Sequence, residues 1–331
     1  MSIQRVAELA KVSVATVSRV FNLPGKVKLT TRERVESAAQ QVGYVPNASA
    51  RTLRTQRSRV LGVVLPTLLN PVFAECLEGV AQAATAGGYA IMPITTQYEL
   101  TREERAVNLL LAGSVDGLIL VVSNPSTSLA LEKLIAAHVP YVLAYNQHAS
   151  HPCVYVDSQR AVAELVIKLS NLGHRHIAMV SGELAASDRS QQRYQGFVKG
   201  IKATNRKQLP LIEVPFVEAA TNQLRQVLKG KKRPTALVCS NDLLAIRTLR
   251  AAYLNGLQVP RDLTVTGFDG IALGLDITPV LSTITQPNHD IGRHSVELVL
   301  HALAAGTEPK AVNSVRLEFS FRDGESCAKA A

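Results

Sequence analysis

Apolar side chains recur at helical spacing through the first part of the chain and then change period. Ile3, Val6, Ala7 and Ala10 share one helical face, which Ser2 is placed to cap. Lys11-Val12 interrupts the pattern, and Ser13 can cap a second helix from Val14 to Phe21. A third helix is predicted from Thr31 to Val42, introduced by a Thr30-x-x-Glu33 capping box and stopped at Gly43. Its Val35, Ala38, Ala39 and Val42 would close a small three-helix core. Pro46 then breaks the pattern, and Asn47 can cap a further helix too short to stand without external support.

After Arg59 short apolar runs alternate with longer amphipathic segments. The runs are Val60–Pro66, Tyr89–Ile94, Gly117–Val122, Tyr141–Ala144, Ile177–Ser181, Ala236–Cys239 and Leu263–Phe268. The helical patterns between them are Asn70–Ala86, Arg102–Ala112, Gln159–Leu172, Arg193–Ala203 and Asp242–Asn255. Continuous apolar strands alternating with helices predict βαβ units and parallel sheets covered on both faces. Gly173-His174-Arg175-His176 opens a second strand series, so two α/β subdomains are expected, with crossings near 157–158 and 286–288. The expected division is a three-helix unit over 1–46, a short helix and linker over 47–58, and a body over 59–331.

Charge changes this picture more than composition does. The 331 residues carry 36 Lys+Arg against 26 Asp+Glu, a formal +10. Residues 1–58 hold ten of those cations and three acids, a footprint suited to a polyanion, while the rest is close to neutral. No apolar run is long enough to span a bilayer, and the start MSIQRVAELAKVS has no apolar signal core, so neither membrane insertion nor secretion is expected. Four widely spaced cysteines fit a reducing cytoplasm rather than a metal pair or disulfide framework. Phosphate-loop, dinucleotide, nucleophile-elbow and zinc-protease motifs are absent from the sequence. His174 and His176 lack a third ligand at useful spacing, and Gly87-Gly88 reads as a helix C-cap. A catalyst, metal or cofactor is not expected.

Two short helices meeting at a small residue, Ala10, form a helix-turn-helix, whose second helix offers its first residues to base edges in the major groove. The stretches VAELAKVSVATVSRVFN and TRERVESAAQQVGYVPNASARTL closely resemble the lactose/galactose repressor family of bacterial transcription regulators. The resemblance implies that Val14 and Ala15 choose the operator sequence. Being apolar, they would touch thymine methyls and leave hydrogen-bonded readout to Arg19. Ser13, Thr16, Ser18 and Asn22 would position the unit on operator double-stranded DNA, with helix capping the other role open to Thr16 and Ser18 and core packing the other for Val14. Asn47, Ala50 and Leu53 would belong to a hinge helix ordering on DNA against its dimer mate, Leu53 wedging between central base pairs. Two positions depart from the family pattern. Arg5 stands where an acid would complete a capping box, and Lys11 occupies a turn position that often holds Gly.

The body resembles a periplasmic sugar-binding protein through Asn70-Pro71-Val72-Phe73, Asp116-Gly117, Arg193-Tyr194-Gln195-Gly196-Phe197, Ser240-Asn241-Asp242 and Gly267-Phe268-Asp269. The fold class implied is a small all-α helix-turn-helix headpiece plus an α/β two-lobed periplasmic-binding-protein-like body. Arg193 and Asp269 would grip a small-molecule effector across the cleft, or else form a core ion pair. Asp188 and Arg189 enter the same helix, Phe73 and Phe216 would be aromatic platforms or core residues, and Asn241 a cleft amide or an N-cap. Asn70 and Asn146 complete the effector set. The expected protein is an effector-controlled repressor binding a pseudo-palindrome as a homodimer, since the tail Arg322–Ala331 lacks apolar heptads. A sugar or sugar derivative is the first expectation for the effector and a purine or nucleoside the second. A transport solute-binding protein would share the body but needs a signal peptide and no basic module, and a sugar-modifying enzyme on a doubly wound fold would need a catalytic constellation that the sequence does not offer.

Leu53→Ala is expected to weaken binding to a selected operator by on the order of 1–3 kcal/mol and binding to random duplex hardly at all. Parallel gel-shift titrations check this, and an equal loss on both duplexes removes the wedge.

Overall fold

The computed structural model describes residues 2–44, 57–216, 220–230 and 233–330; the hinge candidates Asn47, Ala50 and Leu53 lie outside them. The chain divides into two compact units, Met1–Ser58 and Arg59–Ala331.

In the first unit the described helices are Ile3–Leu9, Val14–Asn22 and Leu29–Gln41. The Ser2 and Ser13 hydroxyl oxygens accept from the Arg5 and Thr16 amides at 3.4 and 3.2 Å, satisfying donors that the first turns leave over. Val6, Ala7, Ala10, Val17, Val20, Val35, Ala38 and Ala39 are buried together, with the Phe21 and Tyr44 rings 5.8 Å apart at the edge. The third helix begins earlier than its pattern suggests. The Lys28 carbonyl accepts from Thr31 and Arg32 at 3.0 Å, so Thr30 is already helical and no Thr30–Glu33 capping box forms. Backbone geometry supplies this start without a side-chain cap, leaving no sequence signal. Arg5, unable to close its own box, pairs with Glu8 at 3.0 Å. Arg34 donates to the Ala10 carbonyl at 2.9 Å and ties the third helix to the turn. Lys11 holds that turn at φ +52°, a left-handed conformation costing a side chain on the order of 1 kcal/mol.

The second unit has two lobes, each built on a six-stranded sheet. In the first lobe the strands are β1 (Val60–Leu65), β2 (Ala90–Thr95), β3 (Gly117–Leu120), β4 (Tyr141–Ala144), β5 (Cys153–Val156) and β11 (Val315–Leu317). In the second they are β6 (Ile177–Ser181), β7 (Ile212–Glu213), β8 (Ala236–Cys239), β9 (Thr264–Asp269), β10 (Ser282–Thr285) and β12 (Ser320–Arg322). The orders are β11-β5-β4-β3-β1-β2 and β12-β10-β9-β8-β6-β7, the same winding twice. The pairings are parallel except for β10 with β12. The chain passes from lobe to lobe after Val156, after Thr285, and a third time between Leu317 and Ser320. That third passage carries no pattern because the strands on either side are three residues long.

Doubly wound sheets of this order bind ligands beyond the carboxyl ends of their strands, where the winding reverses. The helix expected from Arg193 in fact runs Asp188–Ala203. Its first turns are polar, Asp188-Arg189-Ser190, yet buried, so they lack the apolar period that marks a core-facing helix.

Each lobe closes over a tight helix pair. A Cβ built at Gly79 would collide with the His289 carbonyl oxygen, and one at Gly292 with that of Cys76, so helices Pro71–Ala86 and Asn288–Ala305 cross backbone to backbone. In the second lobe Gly196 meets the Gln159 carbonyl in the same way. Gly79→Ala is therefore expected to destabilise the body by about 1–3 kcal/mol, whereas Gly25→Ala, whose added Cβ faces open space in the first unit, leaves the stability of that unit unchanged. Urea unfolding of both variants measures the contrast.

Candidate functional sites: a helix face and an interlobe cleft

On the Val14–Asn22 helix, Val17 and Val20 point into the core while Ser13, Val14, Ala15 and Arg19 lie on the exposed side. Val14 is 41% exposed, so its side chain is presented rather than packed. Thr16 and Ser18 are half-buried, and the Ser13 and Thr16 hydroxyls lie 3.0 Å apart. Asn22 donates its amide to the Ser18 carbonyl at 2.6 Å and hydroxyl at 3.3 Å, holding the two half-buried side chains together along the helix.

The second site lies where the two lobes meet. Asn70, Phe73, Tyr98 and Tyr145 from the first lobe and Arg189, Arg193, Phe216, Asn241 and Asp269 from the second line a narrow cavity of about 20 Å³. A wider one of about 250 Å³ adjoins it and shares Asn70, Tyr98, Phe216 and Asn241. The wall between them is aromatic: Tyr98 and Phe216 stack with centroids 4.5 Å apart and planes 10° from parallel. Tyr98 reaches there because Gln97 and Tyr98 are both left-handed, at φ +55° and +63°, turning the chain sharply after β2. Tyr145 (φ +65°) and Asp269 (φ +114°) are also left-handed, so strain of about 1–3 kcal/mol apiece gathers on this cavity.

Arg193 and Asp269 do not face each other across the cleft. Both belong to the second lobe and pair directly at 3.3 Å, because Asp269 ends β9 beside the helix carrying Arg193. The Arg193 guanidinium covers the Phe268 ring at 3.7 Å and donates to the Ser240 carbonyl. Asp269 further accepts from Gln286 at 2.9 Å and from Asn70, of the opposite lobe, at 3.5 Å. Asp188 and Asn146 sit behind the cavity: the Asn146 amide donates to Asp188 at 2.8 Å and to the Val122 carbonyl at 2.9 Å, linking the lobes. Arg189 donates to the same carbonyl at 2.8 Å and pairs with Asp188 at 3.0 Å. Asn70 and Asn241 are also N-caps, accepting from the Val72 and Leu244 amides at 3.5 and 2.7 Å. Phe73 meets Tyr145 edge to face at 5.8 Å.

Tyr98, Tyr145 and Gln286 escaped sequence reasoning, since each follows a strand in a connection with no periodicity. Only the position of such connections, at strand carboxyl ends, could have marked them. His174 is structural, hydrogen-bonded to Thr235 at 3.1 Å and the Ala328 carbonyl at 3.0 Å.

Buried polar atoms without partners cluster here: Asp188 Oδ2, Arg189 Nη2, Arg193 Nε and Ser240 Oγ among the described residues. Such atoms cost free energy unless a polar occupant satisfies them, so the cleft is built for a ligand rich in hydroxyl or carbonyl groups. Burial pushes the Asp269 carboxyl up to about 6 against the pull of Arg193. Burial and the Asp269 charge raise Asp242, in the floor beneath, to about 7. Asp242 accepts from the Thr283 hydroxyl at 2.5 Å and the Ile271 amide at 2.8 Å. Among the described residues no cluster of His, Cys, Asp and Glu could hold a metal ion, and no helix is long and apolar enough to cross a membrane.

A helix-turn-helix unit and a two-lobed ligand-binding body in one chain define a class, the effector-responsive bacterial transcription regulators. The chain belongs to the LacI family of these regulators. The family model for "Bacterial regulatory proteins, lacI family" matches residues 2–47, and that for "Periplasmic binding proteins and sugar binding domain of LacI family" matches residues 58–321. The transcriptional repressor CytR of Escherichia coli is 32% identical over 89% of this chain and 87% of its own. Catabolite control protein A of Priestia megaterium is 30% identical over 97% and 98%. The repressor PurR of Aliivibrio fischeri is 32% identical over 91% of each. The crystal structure of the Lac repressor dimer bound to operator and the anti-inducer ONPF superposes with a TM-score of 0.87 at 26% identity, covering 100% of this chain and 99% of that one. These relatives are transcription regulators.

Because Asp242 holds its proton to a higher pH when folded than an unfolded Asp does, its contribution favours the folded state as pH falls from about 7 towards 4 and fades as pH rises through 7. Asp242→Asn, whose amide can donate to the Thr283 hydroxyl, is expected to lose this dependence. The difference between wild type and variant in urea stability should change by on the order of 2–4 kcal/mol between pH 8 and pH 4.5. Parallel pH profiles for the two proteins contradict the assignment.

Proposed function

We propose that the chain is a repressor that binds a pseudo-palindromic operator as a homodimer and answers to a small molecule held in the interlobe cleft. Val14 and Ala15 read thymine methyls, Arg19 supplies hydrogen-bonded readout, and Ser13, Thr16, Ser18 and Asn22 set the helix on the backbone. Asn47, Ala50 and Leu53, outside the described residues, act at the operator centre, and effector binding changes their hold on it. A body with four free thiols and a basic reader fits a cytoplasmic site of action. We assign no catalysis: Asp188 with Arg189 and Arg193 with Asp269 are paired, and the polar atoms they leave over suit holding a ligand rather than transforming it.

The observation carrying this reading is the set of unpartnered buried polar atoms beside the Arg193–Asp269 pair. Such a lining suits vicinal hydroxyls, so a sugar or sugar derivative is the effector favoured. The parallel Tyr98–Phe216 pair supports a second reading, a purine or nucleoside whose flat base lies against one of the rings.

A thermal-shift screen of the full-length protein against sugars, sugar derivatives, purines and nucleosides identifies the class. The effector found should shift wild type by several degrees and change its affinity for a selected operator. Asp269→Ala should lose both responses while binding that operator as wild type does. Unaltered ligand titration in Asp269→Ala would sink the role given to this carboxylate.

A further inference from the structure

The near-neutral charge of the body hides a division between its lobes. Residues 59–157 hold four Lys and Arg against eight Asp and Glu, whereas residues 158–285 hold seventeen against nine. Much of that excess collects at one end of the second lobe. Arg175 and His176 lead directly into β6, and Lys229 and Arg233 lie in the connection entering β8, the strand hydrogen-bonded to β6. Lys202 stands in the last turn of helix Asp188–Ala203, and Lys207 follows on the way to β7, the other neighbour of β6. These positions share the amino ends of adjacent parallel strands, the end opposite the effector cleft. Neighbouring strands lie only about 4.8 Å apart, so these connections open on one end of the sheet.

Local hydrogen bonds hold the group together. The Thr235 amide donates to the His176 carbonyl at 2.8 Å, and Arg206, between Lys202 and Lys207, donates to Ser170 at 3.1 Å. Arg175, Lys202, Lys207 and Lys229 are exposed, and none has an acidic partner among the described residues. Asp262, in the connection leading to β9, is taken by Arg261 at 3.1 Å.

Unpaired cations at one end of a sheet repel one another, and a polyanion relieves that repulsion by releasing its own counterions. Apart from the His176 imidazole, the described parts of these connections present no aromatic ring and no large exposed apolar side chain. These connections lack the apolar anchors of a protein interface, and a single imidazole is no platform for stacking successive unpaired bases. What remains is recognition of closely spaced phosphates without reading of sequence.

We propose that this basic pole of the second lobe is a second, sequence-independent contact for the phosphate backbone of duplex DNA, separate from the helix-turn-helix unit. A chain bound through its reader helix could then hold another DNA segment at the body.

The test uses the full-length protein bound to a biotinylated duplex on beads and challenged with a fluorescent duplex of unrelated sequence at about 50 mM KCl. Wild type should retain the second duplex, with retention falling steeply as salt rises. The variant Arg175→Gln/Lys202→Gln/Lys207→Gln/Lys229→Gln should occupy the beads equally, melt at the same temperature and retain at least about ten-fold less second duplex. Exchanging the lysines for arginine, Lys202→Arg/Lys207→Arg/Lys229→Arg, should preserve retention. Equal retention by wild type and the glutamine variant, or none by either, overturns the proposal. So does capture of phosphatidylserine vesicles by wild type without capture of duplex.

Discussion

A buried carboxylate that cannot be left without partners organises the body of this protein. Asp269 is 1% exposed at the end of β9, and an ionised group so placed is tolerable only when neighbours supply charge and hydrogen bonds. Those neighbours come from every part of the cleft. Arg193 comes from the second lobe, Asn70 from the first, and Gln286 from the passage between them, while Asn288 donates to the Asp269 carbonyl at 3.2 Å. The left-handed backbone of Asp269 directs the side chain to this meeting point, and its strain is held by the surrounding bonds. A ligand that competes for any one of them touches the geometry of both lobes at once.

The lobes meet through contacts of distinct kinds. Asn146 with Asp188 is a polar link behind the cavity, and Tyr98 with Phe216 an aromatic one at its wall. Within each lobe, by contrast, glycines let helices cross backbone to backbone, so each half is packed as a rigid piece. Under the proposed function, ligand energy spent at the cleft would be expressed as a change of angle between lobes rather than inside one.

How much of this could be read beforehand depended on the physical origin of each feature. Runs such as Tyr141–Ala144, Ile177–Ser181 and Ala236–Cys239 coincide with their strands because a strand buried on both faces must be continuously apolar. The three-helix core of the first unit was legible from period and caps. The start of helix Asp188–Ala203 was not, because Asp188, Arg189 and Ser190 are buried for their polarity and so break the rule by which buried helices are recognised. The strands β11 and β12, three residues each, exist only through pairing with neighbours distant in sequence.

The amino-acid sequence by itself determined the class of this protein. Alternating periods specify a helical reader and a doubly wound body, and clustered cations mark the reader, because local propensity and charge are written residue by residue. Only the tertiary structure decided that Arg193 and Asp269 share one lobe, that Tyr98 closes on Phe216, and that the positive charge of the body gathers at the amino ends of three adjacent strands. Each of these joins residues far apart along the chain, and their proximity is set by sheet order and lobe crossing, which no local pattern encodes.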